Sequence, residues 1–299
     1  MIRNFINIAD LGEEGALQTI KRAKEMKVSQ FRGHSMDGKC AALIFEKAST
    51  RTRVSFEMAV RHLGGDTIFM TTSTSQLGRA EPLKDTARVL SRYVDCLIVR
   101  TFGEERLHEL MQYGSIPVVN ALTDQGHPCQ VMADVLTMYE RDPDLKSLKV
   151  AWIGDGNNMA NSWIEAAGIF GFELSLACPD GYMPDRRCIE KALALNSRIH
   201  ISSNPKEAAK DANYINTDVW ASMGMEEEKI AREKAFKGFC VDEELMNLTN
   251  DAKFMHCLPA HRGEEVTDGV IEGKNSVVWD EAENRMHVQT AILEWVFGK

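Results

Sequence analysis

The chain has 299 residues, of which 44% are hydrophobic and 26% are charged, a composition typical of a soluble globular protein with two domains or one large one. Its net charge of −9 argues against general nucleic-acid binding, because that function requires a basic surface. Seven cysteines without a C-x-x-C pair predict reduced thiols, and the lack of a long apolar run or an N-terminal leader predicts a cytoplasmic protein with no membrane partner.

The first part of the chain alternates between helical and strand patterns. A helix is predicted over 11–27, followed by strands over 40–45, 67–70, 95–99 and 117–120 and by helices over 50–63, 84–93, 104–113 and 128–140. The run Arg141-Asp142-Pro143-Asp144 breaks this pattern, so we place a domain boundary there.

A second series of the same kind follows the break. Strands are predicted over 148–153, 173–177, 198–201, 214–217, 254–257 and 277–279, and helices over 159–170, 185–195, 205–210 and 226–236. Such alternation implies parallel sheets covered on both faces. The predicted fold is therefore α/β, with domains at 1–142 and 143–281, a final helix at 282–299 packing back on the first domain, and an active site in the cleft between the domains.

A cluster of hydroxyl and guanidinium groups directly follows the first strand and opens the next helix. A helix start presents free backbone N–H groups and the positive end of the helix dipole, to which this cluster adds donors and charge. The combination predicts a site for a phosphate-bearing ligand, and the alternative is a helix cap followed by solvated arginines. The cluster reads Ser49-Thr50-Arg51-Thr52-Arg53.

Two further strand ends carry candidate partners of this phosphate site. Arg100 ends the third strand, where it is either a surface residue or a second clamp on the same anion. His127 precedes Pro128, which opens a helix, so a neutral imidazole that donates one hydrogen bond is predicted, with capping alone as the alternative. Gln130 lies on the first turn of the same helix.

The first turn of the second series is rich in glycine. Gly154-Asp155-Gly156 follows a predicted strand, but Met159 stands where the dinucleotide pattern G-x-G-x-x-G requires glycine. A nicotinamide cofactor is therefore disfavoured. A polar turn that presents Asn158 at a helix start, where its amide can hold a carboxylate, fits the residues better.

Two later strand ends carry groups suited to an amino acid. Asp218 can bind an ammonium and Ser222 a carboxylate, although a plain loop is the alternative. Cys257 is either a thiol that contacts an amine or an inert core thiol. The histidines near Cys257 suggest a zinc site, but their spacing does not match that of known zinc sites.

Six motifs, in this order along the chain, resemble the transcarbamylase family: FEKASTRTRVSFE, DTARVLSRYVD, HPCQ, GDGNN, DVWASMG and HCLPAHRGEEVTD. The first and third imply carbamoyl phosphate as a substrate, and the last three resemble the ornithine-specific members in particular. The resemblance covers essentially the whole chain. It implies transfer of a carbamoyl group to the δ-amine of L-ornithine, giving citrulline and phosphate.

The resemblance also implies roles for individual residues. Carbamoyl phosphate would contact Ser49, Thr50, Arg51, Thr52, Gln76, Arg100, His127, Pro128, Cys129, Gln130, Cys257, Leu258 and Arg285. Ornithine would contact Asn158, Asp218, Ser222 and Met223. The catalytic residues would be Arg51, Arg100, His127, Asp218 and Cys257. No metal or cofactor is implied, and the family's catalytic unit is a trimer in which the loop carrying Gln76 approaches a neighbouring subunit's site.

Other interpretations remain open at this point. The acceptor amine could be putrescine, an acylated ornithine or aspartate, although the sequence S-M-G at 222–224 favours free ornithine. A nicotinamide oxidoreductase and a non-catalytic anion-binding protein are alternatives of other classes. We expect arginine biosynthesis rather than citrulline breakdown, because no extra regulatory segment is evident.

Overall fold

A computed structural model describes residues 2–74, 81–195, 198–221, 228–249 and 251–298. The chain divides into two compact units, the first made of Met1–Leu136 and Asn284–Lys299 and the second of Thr137–Glu283. Within the described ranges, no helix combines the length and apolarity needed to span a bilayer.

The first unit is built on a parallel sheet. Its strands are β1 (Cys40–Phe45), β2 (Asp66–Thr71), β3 (Cys96–Arg100) and β4 (Val118–Leu122), and among the described residues they lie in the order β2-β1-β3-β4. The helices are α1 (Gly12–Val28), α2 (Thr50–His62), α3 (Leu83–Leu90), α4 (Glu105–Tyr113) and α5 (Pro128–Arg141), the last of which continues into the second unit.

Apolar strands and polar helix starts explain these elements. β1 is buried from its second residue onward, and β3 is buried throughout, because both occupy the middle of the sheet. α3 ends at Leu90, earlier than predicted, and the chain continues in tighter turns in which Arg92 N–H donates to the Val89 carbonyl and Tyr93 N–H to the Leu90 carbonyl.

The second unit repeats the arrangement. Its strands are β5 (Lys149–Ile153), β6 (Glu173–Ala177), β7 (Ile199–Ser202), β8 (Tyr214–Thr217) and β9 (Lys253–His256), all parallel, and the described residues give the order β7-β6-β5-β8-β9. The helices are α6 (Asn158–Phe170), α7 (Arg186–Ala194), α8 (Pro205–Ala209), α9 (Lys229–Ala235), α10 (Glu243–Met246), α11 (Asp268–Ile271) and α12 (Val278–Val296), which continues into the first unit.

The strand predicted at 277–279 is wrong, because α12 already begins at Val278. The apolar pattern had some basis: Ser276 forms a single parallel bridge with Phe254, and Val277 N–H donates to the Phe254 carbonyl. Acidic residues in the next turn, Asp280 and Glu281, then favour a helix start. The short helices α10 and α11 were not predicted, since they are too brief to show helical periodicity.

The glycine pair in the turn after β5 has a packing explanation. A β-carbon on Gly156 would lie 2.3 Å from backbone atoms of Met183 and Pro184, so a larger residue cannot fit without moving the chain. Gly156 N–H also donates to the Tyr182 carbonyl at 2.8 Å. Gly154 has a φ of +144°, which strongly favours glycine. Gly156 therefore allows two chain segments of this unit to approach closely, and Gly154 allows the backbone conformation of the turn.

Candidate functional site

The predicted anion-binding residues of the first unit lie at the carboxyl ends of three neighbouring strands. β1 leads into the start of α2, β3 ends at Arg100, and β4 leads into His127 at the start of α5. The carboxyl ends of parallel strands meet at one edge of the sheet, which is where such sheets bind ligands. We call this group of residues the anion cluster: Thr52, Arg100, His127, Gln130 and Arg285, together with Ser49, Thr50 and Arg51.

The start of α2 is a capped helix end. Ser49 has extended backbone angles, and its hydroxyl oxygen accepts from Thr52 N–H at 3.2 Å. Thr52 is buried, whereas Arg53 is exposed. The Arg53 guanidinium forms an ion pair with Glu57 and lies 3.7 Å from the ring centroid of Phe69. Of the two arginines in the motif, Arg53 is thus engaged on the outside of the helix.

Arg285, from α12, joins the starts of two other helices. Its guanidinium donates to Thr52 Oγ1 at 2.6 Å and to Gln130 Oε1 at 2.6 Å, and all three side chains are buried. Gln130 Nε2 in turn donates to Asp134 at 2.8 Å. The structure therefore brings together three predicted residues that are far apart in the sequence.

His127 is buried and electrically neutral. Burial lowers the pKa of its imidazole well below the usual 6.5, and the positive charges of Arg285 and Arg100 lower it further. A neutral imidazole offers one donor and one acceptor. The direction of this pKa agrees with the neutral imidazole expected from its position before Pro128 at the start of α5, and the hydrogen bond expected of it stays a prediction.

The Cys129 side chain points into the core. Its sulfur lies 3.3 Å from the Asn120 carbonyl oxygen, and burial raises the pKa of the thiol to about 12. A thiol in this state stays protonated and is a poor nucleophile, and its S–H already donates to the Asn120 carbonyl. Any contact that Cys129 makes with carbamoyl phosphate would therefore come from its backbone.

The predicted site residues of the second unit that the structure describes also follow three neighbouring strands. β5 leads through the turn at 154–157 to Asn158, which begins α6; β8 leads to Asp218; and β9 leads to Cys257 and Leu258. We call Asn158, Asp218, Cys257 and Leu258 the amine cluster.

The carboxylate of Asp218 is held from three directions. Oδ1 accepts from Val219 N–H at 2.8 Å and lies 3.2 Å from Cys257 Sγ, while Oδ2 accepts from Asn157 Nδ2 at 3.2 Å. An ionised carboxylate has about four acceptor positions. Among the described residues these contacts use three of them, so a position on Oδ2 remains for an ammonium or amine.

The loop after β9 is held by a buried histidine–carboxylate pair. His256 Nε2 lies 3.2 Å from Glu265 Oε1, and His256 Nδ1 accepts from Leu258 N–H at 2.8 Å. Nδ1 is therefore the acceptor and Nε2 carries the proton. The second bond holds Leu258 at a φ of +58°, an uncommon conformation for a non-glycine residue.

The same residues come close to a metal-binding arrangement. Asp218, His256 and Cys257 have ligand atoms within 4.8 Å of one another. Both ring nitrogens of His256, however, are already used by Glu265 and Leu258. The contacts present favour a hydrogen-bonded cluster over a metal centre.

Three predicted site residues lie outside the described part of the chain: Gln76, Ser222 and Met223.

Residues 3–140 match the family model described as the carbamoyl-P binding domain of aspartate/ornithine carbamoyltransferase, and residues 146–296 match the model of its Asp/Orn binding domain. The chain belongs to the aspartate/ornithine carbamoyltransferase family. An ornithine carbamoyltransferase of Nitratidesulfovibrio vulgaris (strain DP4) is 66% identical to it over 298 residues, which are 99% of each chain.

Solved structures of carbamoyltransferases share this fold. The ornithine carbamoyltransferase from Pyrococcus furiosus superposes with a TM-score of 0.93 at 44% identity, covering 97% of this chain and 96% of that one. The anabolic ornithine carbamoyltransferase from Campylobacter jejuni gives a TM-score of 0.94 at 40% identity and covers 99% of both chains. The predicted resemblance and the predicted α/β fold of two parallel-sheet domains are confirmed.

Supporting residues of this carbamoyltransferase were not predicted from the sequence, although each lies within a quoted motif. Glu46 accepts from Thr101 Oγ1 at 2.6 Å and forms a bidentate ion pair with Arg106. These contacts connect the end of β1 to the end of β3 and to α4. Asn157 and Glu265 hold the amine cluster in the contacts given above. Their positions inside the motifs were the available signal, but a motif does not say which residue each side chain will meet.

Proposed function

We propose that the protein transfers the carbamoyl group of carbamoyl phosphate to the δ-amine of L-ornithine, giving L-citrulline and phosphate. One observation carries this proposal. The anion cluster, apart from Arg285 on α12, lies at the carboxyl ends of three neighbouring strands in the segment that matches the carbamoyl-P binding model. The amine cluster lies at the carboxyl ends of three neighbouring strands in the segment that matches the Asp/Orn binding model. A full-length relative named ornithine carbamoyltransferase, at 66% identity, supports ornithine as the acceptor.

The start of α2 would bind the phosphate group. Backbone N–H groups, the hydroxyls of Ser49 and Thr50, and the charge of Arg51 supply donors suited to phosphate oxygens. Thr52 is a directed donor: because its Oγ1 accepts from Arg285, its own hydroxyl proton points elsewhere, and a ligand oxygen is its natural acceptor.

Arg100, His127 and Thr52 would polarise the carbonyl of the carbamoyl group. Attack by an amine places negative charge on that oxygen, and donors fixed in advance stabilise this charge without reorganising. Removing one such donor costs about 3–4 kcal/mol in other acyl-transfer enzymes. Neutral His127 can donate a proton in a hydrogen bond without adding a third positive charge beside Arg100 and Arg285.

The amine cluster would hold ornithine. Asp218 offers a fixed carboxylate for an ammonium or amine, and Asn158 offers an amide at the start of α6. Cys257 contacts the same carboxylate, so its thiol lies beside the amine that Asp218 would bind. Ser222 and Met223 are assigned to the carboxylate end of ornithine from the sequence motif alone.

The proposed chemical step balances without a metal or an organic cofactor. The δ-nitrogen attacks the carbonyl carbon, a C–N bond forms, and the C–O bond to phosphate breaks with its electron pair leaving on the phosphate. An alkylammonium has a pKa of about 10.4, so the site must favour loss of a proton. Positive groups gathered around the phosphate lower the pKa of a nearby amine. The ammonium gives one proton to solvent before the attack. The second proton, released from nitrogen as the C–N bond forms, goes to the departing phosphate.

We also propose a role in arginine biosynthesis, in the cytoplasm, as a homotrimer or a multiple of trimers. The biosynthetic direction is supported by the similarity to the Campylobacter jejuni enzyme, which is named anabolic. The trimer is supported by the resemblance to a family whose catalytic unit is a trimer. Light scattering on the purified protein tests it, and a monomer at micromolar concentration would contradict it.

A colorimetric assay for ureido products tests the function. Carbamoyl phosphate is supplied with ornithine, N-acetylornithine, putrescine or aspartate in parallel reactions. We expect citrulline from ornithine at a rate at least about 100-fold above the other acceptors, a ratio within reach of a site with fixed polar contacts. No ureido product from any acceptor would overturn the proposal, and a preference for another acceptor would reassign the substrate.

Two neighbouring arginines provide a matched test of the phosphate site. Arg51→Ala should reduce turnover by about 10²–10³-fold, because a charge that stabilises the transition state is lost. Arg53→Ala should keep most of its activity, since Arg53 contacts Glu57 and Phe69 instead. Equal activity of the two variants would remove the basis for assigning Arg51 to the phosphate.

A further inference from the structure

The side chain of Asn157 connects two parts of the amine cluster. Its Oδ1 accepts from Met159 N–H at 2.9 Å and from Ala160 N–H at 3.2 Å, which caps α6. Its Nδ2 donates to Asp218 Oδ2 at 3.2 Å. One amide therefore both sets where α6 begins and contacts the carboxylate assigned to ornithine.

The orientation of this amide is fixed by its partners. Backbone N–H groups can only donate, so the oxygen must face Met159 and Ala160; a carboxylate accepts, so the NH₂ group faces Asp218. The turn that carries Asn157 is itself anchored. Gly156 N–H donates to the Tyr182 carbonyl, and Asp155 forms a buried ion pair with Arg232 at 2.7 Å.

This contact controls the plane of the Asp218 carboxylate. Val219 N–H and Cys257 Sγ both engage Oδ1, so they hold one oxygen and leave the carboxylate free to pivot about it. Among the described residues, Asn157 is the donor that engages Oδ2 and fixes the second oxygen. The remaining acceptor position on Oδ2 then points in one direction, which is what recognition of a single amine requires.

We propose that Asn157 is a positioning residue for ornithine: it orients the Asp218 carboxylate and, through the α6 cap, the adjacent Asn158. The proposal rests on the function stated above. Asn157 itself would not contact substrate. Its role in the reaction would be to hold the Asp218 carboxylate, which accepts a hydrogen bond from the amine, in place.

Aspartate and serine at this position separate capping from positioning. Asn157→Asp keeps an oxygen that caps α6 as well as asparagine does, but it replaces the donor to Asp218 with a second negative charge. Asn157→Ser keeps a capping oxygen, adds no charge and lacks an NH₂ group to reach Asp218. Asn204 provides a matched control, because its Oδ1 caps α8 in the same way through Lys206 and Glu207 N–H groups.

Steady-state kinetics with both substrates is the test. We expect kcat/KM for ornithine to fall about 10- to 100-fold in Asn157→Asp and about 3- to 30-fold in Asn157→Ser, as for loss of a hydrogen bond to a charged group. The KM for carbamoyl phosphate should stay within about twofold, and the thermal midpoint within a few degrees, because the cap is kept. Asn204→Asp should match wild type in every measurement.

Several results would overturn the proposal. Ornithine kinetics within twofold of wild type in both Asn157 variants would show that the contact does not position Asp218. An equal loss of kcat/KM for both substrates, or a loss of the same size in Asn204→Asp, would show that the effect comes from helix capping alone. A wild-type protein that makes no citrulline is a different result, because it rejects the proposed function before the variants are compared.

Discussion

The burial of a neutral histidine in the anion cluster predicts a pH-dependent stability. His127 has a pKa well below 6.5 in the folded protein, whereas its pKa in the unfolded chain is about 6.5. Below that pH the unfolded state binds a proton that the folded state does not. The contribution of His127 is therefore fully present above the unfolded pKa and is lost as the pH falls.

The size of this effect follows from one proton. Between about pH 7.5 and about pH 5.5 the unfolded histidine gains most of a proton, which lowers the free energy of unfolding by about 1.4 kcal/mol if the folded pKa stays below that range. His62 acts in the same direction, since burial and the nearby charges of Arg32 and His287 lower its pKa too. A comparison with His127→Gln removes this second contribution from the result.

Urea unfolding followed by tryptophan fluorescence across this pH range is the assay. Wild type should lose about 1.4 kcal/mol more than His127→Gln on going to the lower pH. His34→Gln is the matched replacement at an exposed position, because the His34 side chain is 80% exposed in the same unit, and its pH curve is the reference for His127→Gln. Parallel pH curves for wild type and His127→Gln would refute a buried, neutral His127.

Further predictions concern three contacts. Arg285→Lys keeps the charge but cannot engage Thr52 and Gln130 through two fixed nitrogens, so kcat/KM for carbamoyl phosphate should fall at least about 30-fold; wild-type kinetics would contradict this. Arg232→Ala leaves Asp155 buried without its partner and should cost about 3–5 kcal/mol in urea unfolding near neutral pH. That cost should shrink toward about pH 5, because burial already raises the pKa of Asp155 and loss of Arg232 raises it further; a pH-independent cost would contradict this. Cys257→Ser keeps a donor to Asp218 and should retain a higher kcat/KM for ornithine than Cys257→Ala does. Equal values would show that this contact does not contribute to ornithine use.

Much of the local structure was predictable because it depends on neighbours in the chain. Cys40–Phe45, Glu173–Ala177 and Tyr214–Thr217 are strands with the predicted bounds, since short apolar runs between turn residues leave few alternatives. The start of α5 at Pro128 and the cap at Asn204 follow from residue types alone. The strand at 277–279 failed because its apolar residues begin a helix instead.

The polar partners could not be predicted in the same way. Arg285 and Gln130 are 155 positions apart, and Asn157 and Asp218 are 61 apart. A motif shows that such residues are present but not which of them will meet. Cys129 illustrates the converse: it lies within the HPCQ motif, yet its side chain contacts the Asn120 carbonyl in the core.

The sequence by itself therefore determined the fold class and the family, because these follow from local periodicity, turn residues and motif order. The strand ends at which each substrate would bind stay a prediction from the same motifs. Only the tertiary structure decided that Arg285 donates to Thr52, that Arg53 pairs with Glu57 and lies over Phe69, and that Asn157 and Val219 hold the Asp218 carboxylate. The physical reason is that a side chain's donors and acceptors are satisfied by whatever the packed sheets and helices bring within about 3 Å, and sequence distance does not limit that choice.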